Sequence, residues 1–134
     1  MGRIKRPKEK LSVANDTSAY GKVDYPLFSF KHLQDVSLKG CTDSKFLLDF
    51  VFRLKKLSEL GWKQIATSHR HSFGMEKIDR ESVKPSIPPV VTPEVPLFAF
   101  RAAGNNLPFV GFRDDKIFHV LFIETSFGDI YDHE

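Results

Sequence analysis

The chain has 134 residues, 41% of them hydrophobic and 28% charged, ordinary proportions for a globular protein with enough length to enclose a core. Its net charge of +3 and pI near 9.0 permit an acidic or nucleic-acid partner without requiring one. Cys41 is the only cysteine, which excludes an intrachain disulfide; no apolar run approaches the roughly 20 residues that span a bilayer; and no apolar stretch follows the basic N-terminus to make a secretory signal, so a cytoplasmic protein with no membrane partner is expected.

Residues 1–22 are polar and rich in Arg and Lys, the composition of a flexible basic arm. Residues 23–134 are expected to form one α+β domain. Tyr25 to Leu33 alternates Phe28, Phe30 and His32 against Leu27, Ser29 and Lys31, with Pro26 at the start where a strand tolerates a missing donor, and predicts a first strand. Gln34 to Thr42, with Gly40, reads as a loop. Asp43 or Ser44 then suits a helix N-cap. Beyond it Leu47, Phe50, Val51, Leu54 and Leu57 recur at spacings of three and four, one apolar face of a helix. Gly61 fits the left-handed position that ends it, and Trp62 to Ala66 predicts a second helical piece, giving a helical hairpin. Its polar side carries Arg53, Lys55, Lys56 and Lys63, and it runs into a loop containing His69, Arg70 and His71.

Met75 to Ile78 reads as a short strand. Residues 79–96 hold Pro85, Pro88, Pro89, Pro93 and Pro96, a density that excludes helix interior and central strand; with their Val and Ile content they predict an extended loop laid over the domain. Strands follow at about 97–102, 107–113 and 117–124, an antiparallel C-terminal sheet. Phe118, Val120 and Phe122 alternate with Ile117, Leu121 and Ile123, so the last strand is apolar on both faces and belongs inside the sheet. His119 interrupts one of those faces, and Arg101 and Arg113 flank it. A tight hairpin favours a two-residue turn, which pairs Arg113 with Phe118 and sends His119 to the opposite face; a slip of one residue reverses this.

The functional reading of these residues starts from their chemistry. His119 suits general acid–base work near neutral pH. Arg101 and Arg113 can each neutralise a phosphate through paired hydrogen bonds, and Tyr131 and His133 offer stacking or proton transfer. A metal set from His69 and His71 with His119, Asp129 or His133 has no ligand spacing to support it. A P-loop, a nucleophile elbow and an HExxH motif are all missing from the sequence, which argues against P-loop nucleotide hydrolysis and zincin chemistry.

The leading strand Pro26–Leu33, the basic hairpin Ser44–Ala66 and the segment FVGFRDDKIFHVLFIETSFGDIYDH, an aliphatic strand followed by a polar turn and a tyrosine, together resemble the RelE/ParE toxin superfamily over residues 24–133. The resemblance implies a RelE-like fold and a toxin of a toxin–antitoxin system. It implies mRNA cleavage at the ribosome with no metal or cofactor, and an antitoxin protein that covers the site. Tyr131 carries over as a catalytic residue; Arg101, Arg113 and His119 are assigned beside it by position. Arg53, Lys55, Lys56, Lys63 and Arg70 are assigned to RNA. Leu107-Pro108 and Ser126-Phe127 stand where many active members carry basic residues. A second reading therefore stays open: a non-catalytic protein-interaction module on the same fold, of the kind a phage or another mobile element can encode.

Overall fold

The computed structural model describes residues 24–68, 73–102 and 107–133; the basic arm expected over residues 1–22 lies outside them. Strand β1 (Leu27–Ser29) is followed by helices α1 (Asp35–Gly40), α2 (Ser44–Leu60) and α3 (Trp62–Thr67), then by β2 (Glu76–Ile78), β3 (Leu97–Arg101), β4 (Pro108–Asp114) and β5 (Ile117–Ile123). The expected α+β class is the one observed. The strands form a sheet in the order β1-β5-β4-β3-β2. From β2 to β5 all pairing is antiparallel, and β1 joins β5 in parallel, which makes the sheet mixed.

β1 is much shorter than the strand expected over residues 25–33. The chain turns after it, with the Leu33 N–H on the Phe30 carbonyl, and the expected loop at residues 34–42 contains α1. That helix takes over the edge of β5 that β1 gives up. The Gln34 N–H donates to the Leu121 carbonyl at 2.9 Å, and the buried Ser37 hydroxyl accepts from the Ile123 N–H at 2.8 Å. The edge of β5 is thus closed first by a strand and then by a helix, so its backbone groups remain partnered. Periodicity cannot detect a six-residue helix defined by two such contacts.

Asp43 caps α2, its Oδ1 accepting from the Lys45 N–H at 3.1 Å, and Gly61 ends it at φ 87°. A side chain at Gly61 would be strained at that φ and would meet Asp24. The buried seam of α2 is rotated from the expected one. Phe50 and Leu57 are buried with Phe46 and Leu54 packed beside them, while Val51 faces outward with Leu48 and Phe52. Both stripes satisfy helical spacing, and only the position of the sheet selects between them.

Two apolar clusters sandwich the sheet. On one face α2 and α3 lay Phe50, Leu57, Trp62 and Ile65 over Phe100, Phe109, Phe118 and Val120. The three sheet phenylalanines and Phe28 contact one another edge-on or stacked, with ring centroids 5.0–6.3 Å apart, the geometries that aromatic quadrupoles prefer. On the other face residues 79–96 and the segment after β5 supply Val83, Val91 and Ile130 against Ile78, Leu97, Val110 and Phe122. The proline-rich stretch is pinned by the Arg80 guanidinium, which donates to the Thr92 carbonyl at 2.9 Å and the Val91 carbonyl at 2.6 Å.

The turn between β4 and β5 is Asp115-Lys116, with Asp114 opposite Ile117 and Arg113 opposite Phe118; Asp115 takes the positive φ of 56°. Further along, Val110 pairs with Phe122 but Gly111 pairs with Val120, leaving Leu121 as the extra residue of a bulge. Strict alternation along β5 therefore fails. Phe118, Val120 and Ile123 face the helices, whereas Leu121 and Phe122 both face the proline-rich side. Gly111 makes the bulge possible, because a Cβ there would lie 2.0 Å from the His119 carbonyl oxygen.

Candidate functional site

The four residues assigned to catalysis from the sequence do not come together in one place. Arg113 faces the helices. Its guanidinium carbon lies 3.8 Å from the centre of the Trp62 ring, and its Nε donates to the Asp115 carbonyl at 2.6 Å. This arginine braces the hairpin turn against α3 by a cation–π contact. His119 sits on the opposite face, as the two-residue turn predicts. Its ring stacks on Phe112 at 4.7 Å and lies 5.5 Å from His32. Nδ1 is buried without a hydrogen-bond partner. Burial first, and then the neighbouring His32, lower its pKa below the usual histidine value; Asp114 opposes this and Lys31 reinforces it. His119 is thereby favoured in its neutral form.

Arg101 and Tyr131 lie elsewhere. Along β3, Leu97 and Ala99 face the proline-rich side and Phe100 faces the helices, so alternation puts Arg101 on the proline-rich side. Arg101 stands opposite Pro108, and His119 opposite Phe112. Four strand residues separate those rungs, about 13 Å at the usual strand rise. Tyr131 packs against the same cluster and bridges to Val83. Arg101 and Tyr131 thus share one face at one end of the sheet, with His119 near the other end and Arg113 on the reverse.

At the Arg101–Tyr131 end stands a residue that the sequence reading passed over. Glu124, the first residue after β5, has no exposed surface. Its Oε2 accepts from the backbone N–H groups of Ile130 and Tyr131 at 2.9 and 3.0 Å, and its Oε1 lies 2.5 Å from His133 Nε2. A buried carboxylate is tolerated when its lone pairs are satisfied in this way. The His133 ring stacks on Phe127 at 3.9 Å and meets the Tyr131 ring edge-on at 5.1 Å. The Lys84 ammonium donates to the Gly128 carbonyl at 2.6 Å, and the Lys84 N–H to the Ile130 carbonyl at 2.7 Å, so the proline-rich stretch holds the closing segment in place. The only sequence signal for Glu124 is a carboxylate at the end of an uninterrupted apolar strand, directly before a chain reversal.

The cations assigned to RNA are on the helices. Arg53 lies over the Phe73 ring at 4.5 Å, and burial lowers its pKa. Lys55 and Lys56 share Glu59, whose pKa is lowered chiefly by the Lys55 hydrogen bond. Lys63 is exposed on α3. Because these helices cover the opposite face, none of the four lines the Glu124 cluster. Arg70, His69 and His71 lie outside the described residues. Among the described residues no group of three His, Cys, Asp or Glu side chains gathers to hold a metal, and no helix is long and apolar enough to cross a membrane.

No protein-family model, curated protein or solved structure matches the chain.

Proposed function

We propose that the protein is an RNA-directed toxin of the kind its resemblance to the RelE/ParE superfamily implies, cleaving mRNA in the cytoplasm and held in check by an antitoxin protein. The observation that supports this reading is the placement of Arg101 and Tyr131 on one face and at one end of the sheet. Arg101 would bind the scissile phosphate and stabilise the charge that builds on it, and Tyr131 would hand a proton to the leaving oxygen. His119 and Arg113 are not part of that centre. Purified protein added to a translation extract is expected to arrest synthesis and leave mRNA fragments ending in 2′,3′-cyclic phosphates, and Arg101→Ala is expected to relieve the arrest. Undiminished translation with intact mRNA at protein concentrations comparable to the ribosomes would overturn the proposal.

A second reading, a non-catalytic interaction module, has its own support. Leu48, Val51 and Phe52 are 56, 59 and 62% exposed along one side of α2, an apolar stripe of the kind that a partner covers. Under that reading Leu48→Lys with Phe52→Lys abolishes capture of a protein partner while no RNA cleavage is seen in any variant.

A further inference from the structure

Resting on the RNA-cleavage reading, we infer that His133 is the proton acceptor of the reaction and that Glu124 is its positioning residue. Glu124 has no exposed surface, and it is held on three sides by the Ile130 and Tyr131 N–H groups and by His133. Its position is therefore set by the backbone around it, and the imidazole follows. With Nε2 facing the carboxylate as donor, Nδ1 is the nitrogen left to exchange a proton with a substrate, the arrangement by which a fixed carboxylate selects a histidine tautomer. The ring also keeps contact with solvent, the His133 side chain being 15% exposed, and it is clamped between Phe127 and Tyr131. No other described histidine has this support: His119 has an unpartnered Nδ1 and a lowered pKa.

The step balances with groups that the chain and the RNA supply. Nδ1 of His133 takes the proton of the 2′-hydroxyl as its oxygen forms a bond to the adjacent phosphorus. The bond from phosphorus to the 5′-oxygen breaks with its electron pair on that oxygen, which receives the Tyr131 hydroxyl proton. The products are a 2′,3′-cyclic phosphate and a 5′-hydroxyl. Proton transfer through water from His133 to the tyrosinate restores both side chains. Arg101, on the same face, offsets the charge on the phosphate oxygens. Phe127, 61% exposed, presents an aromatic ring beside the reacting ribose on which an unpaired base can stack, which directs the site to single-stranded RNA.

The test is single-turnover cleavage of ribosome-bound mRNA by the full chain and by His133→Gln, a variant that keeps an N–H donor for Glu124. The expected result is a loss of about 100-fold in the cleavage rate, in the range general acid–base groups supply, with half-saturating concentration and thermal unfolding unchanged. In His133→Gly, added imidazole should restore at least a tenth of the wild-type rate, which a merely structural ring would not allow. If His133→Gln cleaves within threefold of wild type while Arg101→Ala is impaired, the inference is wrong and the RNA-cleavage reading survives. A His133→Gly variant that imidazole leaves inactive likewise assigns the ring to structure alone. Wild-type protein that cleaves no RNA overturns the reading itself and the role of His133 with it.

Discussion

The two ends of the sheet each hold a histidine and an arginine, and they use them differently. At the end nearest the β4–β5 turn, Arg113 is engaged by Trp62 and the Asp115 carbonyl on the helix-covered face, and His119 is packed among rings on the opposite face, the one that also carries Arg101 and Tyr131. At the far end a buried carboxylate orders the backbone of residues 130 and 131 and fixes His133, with Arg101 and Tyr131 on the same face. Residue type alone made the first end attractive. The difference shows that a polar side chain in an apolar strand becomes a candidate for chemistry only where another group orients it and a substrate can approach.

The contrast can be broken most severely at Glu124. Glu124→Ala strands the Ile130 and Tyr131 N–H groups, at about 1–3 kcal/mol each, and should lower unfolding free energy by roughly 2–6 kcal/mol in chemical denaturation, with the segment after β5 losing hydrogen-exchange protection first. Unaltered protection there would show that the carboxylate does not organise that end. Gly111→Ala should cost about 3 kcal/mol, because the added carbon meets the His119 carbonyl oxygen across the bulge; a variant as stable as wild type would mean that the two strands separate without penalty. Third in size is the arginine pair. Under the proposed RNA-cleaving function, Arg101→Ala should reduce cleavage by about 100-fold, whereas Arg113→Ala should leave the rate within threefold and cost about 0.5–1 kcal/mol of stability through the lost contact with Trp62. Equal losses of cleavage would erase the distinction between the ends.

The smallest effect is a pH dependence at the turn end. His119 has a folded-state pKa below its unfolded value near 6.5, so the unfolded chain binds the proton more readily. Its contribution to stability is present in full above pH 6.5 and falls as the pH drops toward the lowered folded-state value. His32, Lys31 and Asp114 all act on the same ring. Replacing His119 with Phe should flatten this part of the acid-side decline in melting temperature; a decline of unchanged slope would show that His119 does not cause it.

Much of the architecture was legible in the chain. The Asp43 cap, the helix ended by Gly61 and the turn-linked antiparallel strands β4 and β5 come from segments close in sequence, which spacing and residue type express directly; the interior place of β5 was legible from its two apolar faces, although the neighbour that covers its outer edge, β1, comes from residues 27–29. The turn Asp115-Lys116 is equally local, and it correctly sent Arg113 and His119 to opposite faces. The site was legible only in part: Arg101, Tyr131 and His133 were visible as chemistry, and Glu124 was not, because nothing in its sequence surroundings announces that three donors converge on it from six to nine residues away.

What only the tertiary structure decided depends on close approach between distant segments. The bulge that carries Phe122 to the side of Leu121 exists because the His119 carbonyl can sit against Gly111. The seam of α2 turns toward Phe46 and away from Val51 because of where the sheet lies. α1 forms where Ser37 and Gln34 can close the edge of β5, and β1 runs parallel for the same reason of available edge. By itself the sequence determined the long helix, the C-terminal strands and how the last hairpin turns, since those energies are local; α1, the burial of one carboxylate, and with it the end of the sheet that holds the candidate site, were settled by contacts that exist only once the chain is folded.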